Sequence, residues 1–213
     1  MRSNSALVFS LVVCVAWLSG CTAPAQRPVE SQPAATPARA SSAGKASTID
    51  PLAMREHERA LVALKAKRNA QAERILLAMT RSYSQFAGPH VNLGIIYHRT
   101  GRDREAEQAF HQAIAINPER ADAYNHLGIV LRENGRFSEA REAYENALKI
   151  DPSYAYAHLN LGILYDLYLL NAKKALKHYE LYQKLVSTPD PGVAKWVVDL
   201  RRRMKRHQKT AGR

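Results

Sequence analysis

The residue types that carry most protein chemistry are scattered along this chain. Its eight histidines are His57, His90, His98, His111, His126, His158, His178 and His207. No two of them stand at the His-x-x-x-His spacing that sets two ligands on one helix face, and no Cys-x-x-Cys accompanies them. A Gly-x-Ser-x-Gly elbow and a phosphate-binding glycine-rich loop are both absent. The sequence therefore points away from a metal centre, a cofactor, a small-molecule substrate and catalysis. His90 and His158 fall at the bulky position that Tyr124 occupies between them, which predicts packing for both. There are two cysteines. Cys14 lies inside an apolar run, and Cys21 follows the small residues Ser19 and Gly20.

The surroundings of Cys21 give that thiol a reading. Arg2, the mainly apolar run from Ala6 to Leu18 and the small residues after it have the order of an export signal. The run is shorter than the 18 or so apolar residues of a clear membrane span. Leu18-Ser19-Gly20-Cys21 resembles a bacterial lipobox. The resemblance implies cleavage before Cys21 and a lipidated Cys21 carrying more than one acyl chain, which makes anchoring stable. Removal of Cys14 with the signal would leave Cys21 as the only cysteine, so no intrachain disulfide is expected. Thr22 in place of Asp after the lipid site implies, by the same resemblance, sorting to the outer membrane of a Gram-negative cell, on its periplasmic side. Residues 21–49, rich in Ala, Pro, Ser and Thr, read as a disordered tether.

Beyond the tether, the chain repeats itself. Asn92-Leu93-Gly94-Ile95-Ile96-Tyr97 returns as His126-Leu127-Gly128-Ile129-Val130-Leu131 and as Asn160-Leu161-Gly162-Ile163-Leu164-Tyr165, at offsets of 34 residues. Gly101 and Ala106 return as Gly135 and Ala140, and Asn117-Pro118 returns as Asp151-Pro152. Within one period, Tyr124, Leu127, Gly128 and Leu131 follow helical spacing, and Gly135 suits a C-cap. Ala140, Ala143, Tyr144, Ala147 and Ile150 then mark a second helix. The pattern predicts Pro118 at the first position of a helix capped by Asn117. It also predicts that Gly128 and Ala140 let the two helices approach, with Tyr144 beside them. A hairpin of this kind cannot bury its apolar face alone, so the units must stack.

These residues resemble the tetratricopeptide repeat family. The resemblance implies an all-α fold: a right-handed solenoid of about four helical hairpins over residues 50–190, plus a C-terminal capping helix. The units fall at about 51–84, 87–120, 121–154 and 155–188. The first is divergent, with Lys67 where later units have Gly101 and Gly135. In the fourth, Ala175 follows Gly162 by 13 residues instead of 12, which predicts one extra residue near Tyr168-Leu169-Leu170-Asn171. After Thr188-Pro189-Asp190-Pro191, the residues Val193, Trp196, Val197, Leu200 and Met204 predict a capping helix over 191–207, and 208–213 reads as a disordered basic tail.

Charge is uneven along the chain. The formal net charge is +12. Residues 50–190 hold 19 Lys and Arg against 17 Asp and Glu, whereas 191–213 hold 8 against one, Asp199. Charges on the second helices, such as Glu139 and Glu145, read as a solvated face. The basic tail (Arg201, Arg202, Arg203, Lys205, Arg206, Lys209 and Arg213) reads as a solvated helix face trailing into disorder or as a contact for anionic lipid headgroups or an acidic partner. It has few aromatic neighbours for base stacking, and nucleic acid is not expected as a partner. In the repeat family, one stripe of each first helix lines the partner groove. Carried over by position, it includes His98 and Arg99 in the second unit, Asn125, Ile129, Arg132 and Glu133 in the third, and Tyr156, Leu159, Ile163 and Asp166 in the fourth. Val91 and Ile95 replace the polar pair of carboxylate-clamp members, which disfavours a chaperone tail as ligand.

The resemblance leads to the expectation of a non-enzymatic lipoprotein adaptor that binds envelope proteins. One version resembles the lipoprotein pilotins of type IV pili, which assist a secretin. A second recruits peptidoglycan hydrolases, and a third is an accessory subunit of an energy-transducing or transport complex.

Overall fold

Asp50 and Pro51 open the first helix in the way their types require. The Asp50 carboxylate accepts a hydrogen bond from the Leu52 N–H at 2.8 Å, and Pro51 occupies the first turn, where its missing N–H costs nothing. The computed structural model describes residues 50–211. The expectations for the signal segment, Cys21, the tether and the last two residues lie outside the described residues. Among the described residues the structure is all helical: α1 (Pro51–Lys65), α2 (Asn69–Ser82), α3 (Ala87–Arg99), α4 (Asp103–Ile116), α5 (Ala121–Glu133), α6 (Phe137–Ile150), α7 (Ala155–Ile163), a π-helical turn (Leu164–Tyr168), α8 (Ala172–Leu185) and α9 (Pro191–Ala211). α1 pairs with α2, α3 with α4, α5 with α6 and α7 with α8, and α9 packs on α8. One apolar cluster runs from Ala60 to Leu200 and joins all four hairpins to α9, so the segment from Asp50 has the continuous core of a single folding unit.

Glycine sets the distance within each hairpin. A Cβ on Gly94 would lie 2.5 Å from the Phe110 ring, one on Gly128 2.5 Å from Tyr144, and one on Gly162 2.5 Å from Tyr179. In each of these units an aromatic ring of the second helix lies directly on the bare backbone of the first. The first unit solves the same problem differently: Ala60 and Leu76 stand at the corresponding positions, and both are fully buried. A methyl group on one helix is matched by a smaller side chain on the other.

The turns follow the sequence closely in two units and depart from it in two. Gly101 and Gly135 take the left-handed conformation after α3 and α5, at φ 75° and 77°. Lys67, at φ 56°, does the same in the first unit without glycine's freedom, as does Leu170, at φ 50°, in the fourth. Stacking of the hairpins fixes the turn, and the residue at the critical position conforms to it. Asn117 and Pro118 correct an expectation. α5 begins at Ala121, so Pro118 is not at its first position. Asn117 closes α4, and its side chain accepts from the Glu119 N–H at 2.9 Å; Asp151 accepts likewise from Ser153. Asn and Asp here form turns between hairpins instead of capping the next helix.

The extra residue of the fourth unit is absorbed before the turn. α7 gives way to the π turn at Leu164, and the Leu169 N–H reaches back five residues to the Leu164 carbonyl at 2.9 Å. This widening leaves Leu170 at the left-handed position and lets Asn171 cap α8 through the Lys174 N–H at 3.0 Å. α9 lays Val193, Val197 and Leu200 against the array and sets Trp196 5.6 Å from the Tyr179 ring. The helix runs on to Ala211, past the expected end at 207.

Candidate partner-binding groove

The first helices α3, α5 and α7 touch in succession, so their inner stripes form one continuous strip. The structure divides the expected groove residues into two sets. Arg99 and Glu133 are exposed, and His98, Tyr156 and Leu159 are half-buried. Asn125, Ile129, Arg132, Ile163 and Asp166 are buried. The surface open to a ligand is therefore the first set, with the second forming the layer beneath it.

Polar side chains in the lower layer bond along the array. Asn160 donates its side-chain N–H to the Asn125 carbonyl oxygen at 2.9 Å, and Asn92 donates to His57 Nε2 at 2.9 Å. Both pairs are 35 residues apart, so each joins two first helices at equivalent positions. Arg132 is nearly enclosed, with one Nη 3.0 Å from Glu133 and its guanidinium 5.9 Å from the Tyr168 ring centre. Asp166, the equivalent of Arg132 one unit on, is held by Arg203 of α9 at 2.8 Å, and the Tyr179 hydroxyl lies 3.4 Å from its second oxygen. A buried carboxylate requires such a partner, since desolvation without one is expensive.

Nearer the surface, His98 connects two units. Its Nδ1 lies 2.9 Å from Asp103, and its Nε2 lies 3.4 Å from Glu133. Two arginines at the starts of second helices do the same on the outside. Arg102 joins Glu105 to Glu73 of the preceding unit, and Arg136 joins Glu139 to Glu107. The sequence did not single out these bridges, although the 34-residue spacing of Arg102 and Arg136 was a visible signal. Glu139 remains solvated while serving as a bridge, as does the half-exposed Arg136.

Two histidines are held neutral. Burial pushes His126 down to about 4, with Asp122 opposing and His98 and Arg99 assisting. Burial also pushes His178 down to about 4, aided by His158, Lys177 and Lys174. His158 points Nε2 at the Pro152 carbonyl, 3.1 Å away, and its Nδ1 lies 3.0 Å from Nδ1 of His178. An unfolded histidine titrates near 6.5. Between that value and about 4 the unfolded chain takes up protons that folded His126 and His178 refuse. Stability is therefore complete above the upper value and falls as pH drops toward the lower one. The expected result is a melting temperature lower by about 5 °C or more at pH 5 than at pH 7. Replacing His178 by Gln should flatten the profile, and equal melts at both values would contradict the account. No group of three or more potential ligands is placed to hold a metal ion among the described residues, and no described helix is long and apolar enough to cross a membrane.

Comparison with known proteins agrees with this geometry. Tetratricopeptide repeat models match residues 87–120 and 109–142, and a TPR repeat model matches residues 130–166. The three matches together span residues 87–166, from α3 into the π turn. The first match coincides with the α3–α4 hairpin and the turn that follows it. Among solved structures, PilF of Pseudomonas aeruginosa superimposes with a TM-score of 0.66 at 21% identity, over 72% of this chain and 69% of that one. MamA gives 0.56 at 24% identity, over 62% and 77%, and MamA from Desulfovibrio magneticus RS-1 gives 0.60 at 20% identity, over 75% and 89%. Identities this low establish a common fold. No curated protein matches the chain in sequence. Tetratricopeptide repeats in general are non-enzymatic scaffolds that bind protein partners.

Proposed function

We propose that the chain is a non-enzymatic lipoprotein adaptor that holds partner proteins along its first-helix strip on the periplasmic side of an outer membrane. The observation that carries the binding role is the open set on the strip: the charged Arg99 and Glu133, His98 at 3.4 Å from Glu133, and the half-buried Tyr156 and Leu159. Such a surface can bury apolar side chains of a peptide or helix while its charges fix direction and register. The anchor is supported by Leu18-Ser19-Gly20-Cys21 and the proline-rich segment after it. Assistance to a type IV pilus secretin is the version that the resemblance to lipoprotein pilotins favours. Recruitment of peptidoglycan hydrolases, or service in an energy-transducing or transport complex, uses the same surface with a different partner.

Pull-down from detergent-solubilised envelopes, followed by a binding assay on the captured protein, tests the proposal. Arg99→Glu and Glu133→Gln should each weaken affinity, the first about tenfold, or about 1.4 kcal/mol, with helicity unchanged. Gln at 133 keeps an acceptor for the buried Arg132, whereas reversal at Arg132, Glu133 or Asp166 would report on folding. Silence of both surface variants would remove the strip from the function. The anchor is tested separately by metabolic labelling with a fatty acid: label that persists in Cys21→Ala would sink it.

A further inference from the structure

α9 has two faces of opposite character. One, carrying Val193, Val197 and Leu200, closes the apolar core. On the other, Val198, Arg201, Arg202, Lys205 and Arg206 recur at the three- and four-residue steps of a single helical stripe, and all five are exposed. They line a shallow open depression of about 510 Å³. Arg201 reaches Glu180 at 2.6 Å and Arg202 reaches Asp199 at 2.7 Å, yet the two guanidinium side chains remain 57% and 69% exposed. Val198 is 65% exposed at the head of the stripe. Residues 191–213 carry a net charge of +7, against +2 for 50–190. Arg203 holds the buried Asp166, but the five residues of the stripe have no role in the core, and the strip on the first helices does not include them.

We infer that the outer face of α9 is a docking surface for anionic phospholipid headgroups, with Arg201, Arg202, Lys205 and Arg206 as the headgroup contacts. The shape of the surface selects this partner. The depression is shallow and open, and it offers a single apolar side chain, Val198, which is too little to set the register of a peptide. No aromatic ring lines it, so single-stranded nucleic acid would find charge without stacking. A membrane surface needs neither a pocket nor a register. It presents a diffuse negative potential that attracts clustered cations. Val198, exposed at the head of the stripe, is placed to enter the headgroup layer as an apolar side chain of an interfacial helix does. The contact depends on neither the acyl anchor nor the groove.

Co-sedimentation of residues 50–213, which lack Cys21, with lipid vesicles is the test. Binding to vesicles of phosphatidylglycerol mixed with phosphatidylcholine should exceed binding to phosphatidylcholine alone by at least about tenfold, and should fall steeply as salt is raised. The triple variant Arg202→Gln, Lys205→Gln, Arg206→Gln should bind the two vesicle types alike. These side chains lie outside the core, and circular dichroism checks the fold. Were the variant misfolded, the lipid-charge and salt comparisons on the unaltered sequence would still decide. Equal binding of the unaltered protein to charged and neutral vesicles would overturn the inference. So would complete displacement from anionic vesicles by a stoichiometric acidic peptide or oligonucleotide, since the face would then be built for a different polyanion. Neither failure bears on the groove, which is assayed with a protein partner.

Discussion

Deletion of α9 should lower the melting temperature of the repeat array by about 10 °C or more and make the protein self-associate. Three fully or nearly buried side chains, Val193, Val197 and Leu200, and Trp196, tilted against the Tyr179 ring, leave with it. Full burial of one such side chain contributes about 1.5–3 kcal/mol as an upper estimate, and ordering of the helix offsets part of the total. The apolar surface uncovered, centred on Tyr179 and Tyr182, is contiguous and invites association. Leu185, at the end of α8, is 39% exposed with α9 in place and adds little to the change. A second loss is electrostatic: Asp166 is buried and Arg203 bridges to it at 2.8 Å. Breaking a buried pair by removing one partner costs about 3–5 kcal/mol, and the partial exposure of Arg203 places Arg203→Met at or below the lower end of that range. Asp166→Asn in the Arg203→Met background should recover most of the loss, because the stranded charge is gone. Thermal melts followed by circular dichroism, with light scattering for association, read all three. A deletion that leaves both the melt and the scattering unchanged would show that α9 is not a cap. A double variant no more stable than Arg203→Met would show that the buried charge is not the cause.

The 34-residue period carried most of the architecture into view, because each hairpin repeats one set of contacts. Gly94, Gly128 and Gly162 mark where helices touch, and Gly101 and Gly135 mark where the chain turns. The fourth unit shows where counting stops. The extra residue is visible as an offset between Gly162 and Ala175, but its location depends on which hydrogen bonds can widen. The turn itself is held by Leu170 and Asn171, so the helix before it yields and becomes the π turn. The expected groove was harder to read for a similar reason. Polar residues on the inner stripe suggest solvent, whereas the partners that bury Asn125 and Asp166 lie 35 and 37 residues further along the chain. The repeated spacing of His57 to Asn92 and of Asn125 to Asn160 was a usable signal of buried inter-unit pairs. Nothing in the repeat pattern foretold Arg203, which lies beyond the last unit.

Gly94→Ala should destabilise the protein as it stands and become neutral or stabilising in a Phe110→Leu background. A Cβ at position 94 would meet Phe110 carbons at 2.5, 2.7 and 2.8 Å, and that ring is 1% exposed, so it has little room to withdraw. Overpacking of this kind costs about 1–3 kcal/mol. Against it, Ala is favoured over Gly inside a helix by about 1 kcal/mol. With Phe110 carbons as close as 2.5 Å the clash should win in the native background, giving a net loss of up to about 2 kcal/mol. Phe110→Leu alone leaves a void and gives up the ring stacking on His126 at 5.7 Å, for a loss of about 1–3 kcal/mol. In that background the new methyl enters space that the ring no longer fills, as Ala60 and Leu76 already do in the first unit. Only the helix preference of Ala then remains, and the sign of the Gly94→Ala effect reverses. The stacking lost to His126 is common to both proteins that carry Phe110→Leu and cancels. Denaturant unfolding of the four proteins should therefore give a coupling energy of at least about 1.5 kcal/mol in favour of the double variant. Additive losses would mean that the helices separate to admit the methyl wherever it is placed, and that the bare backbone at Gly94 does not set the spacing of the hairpin.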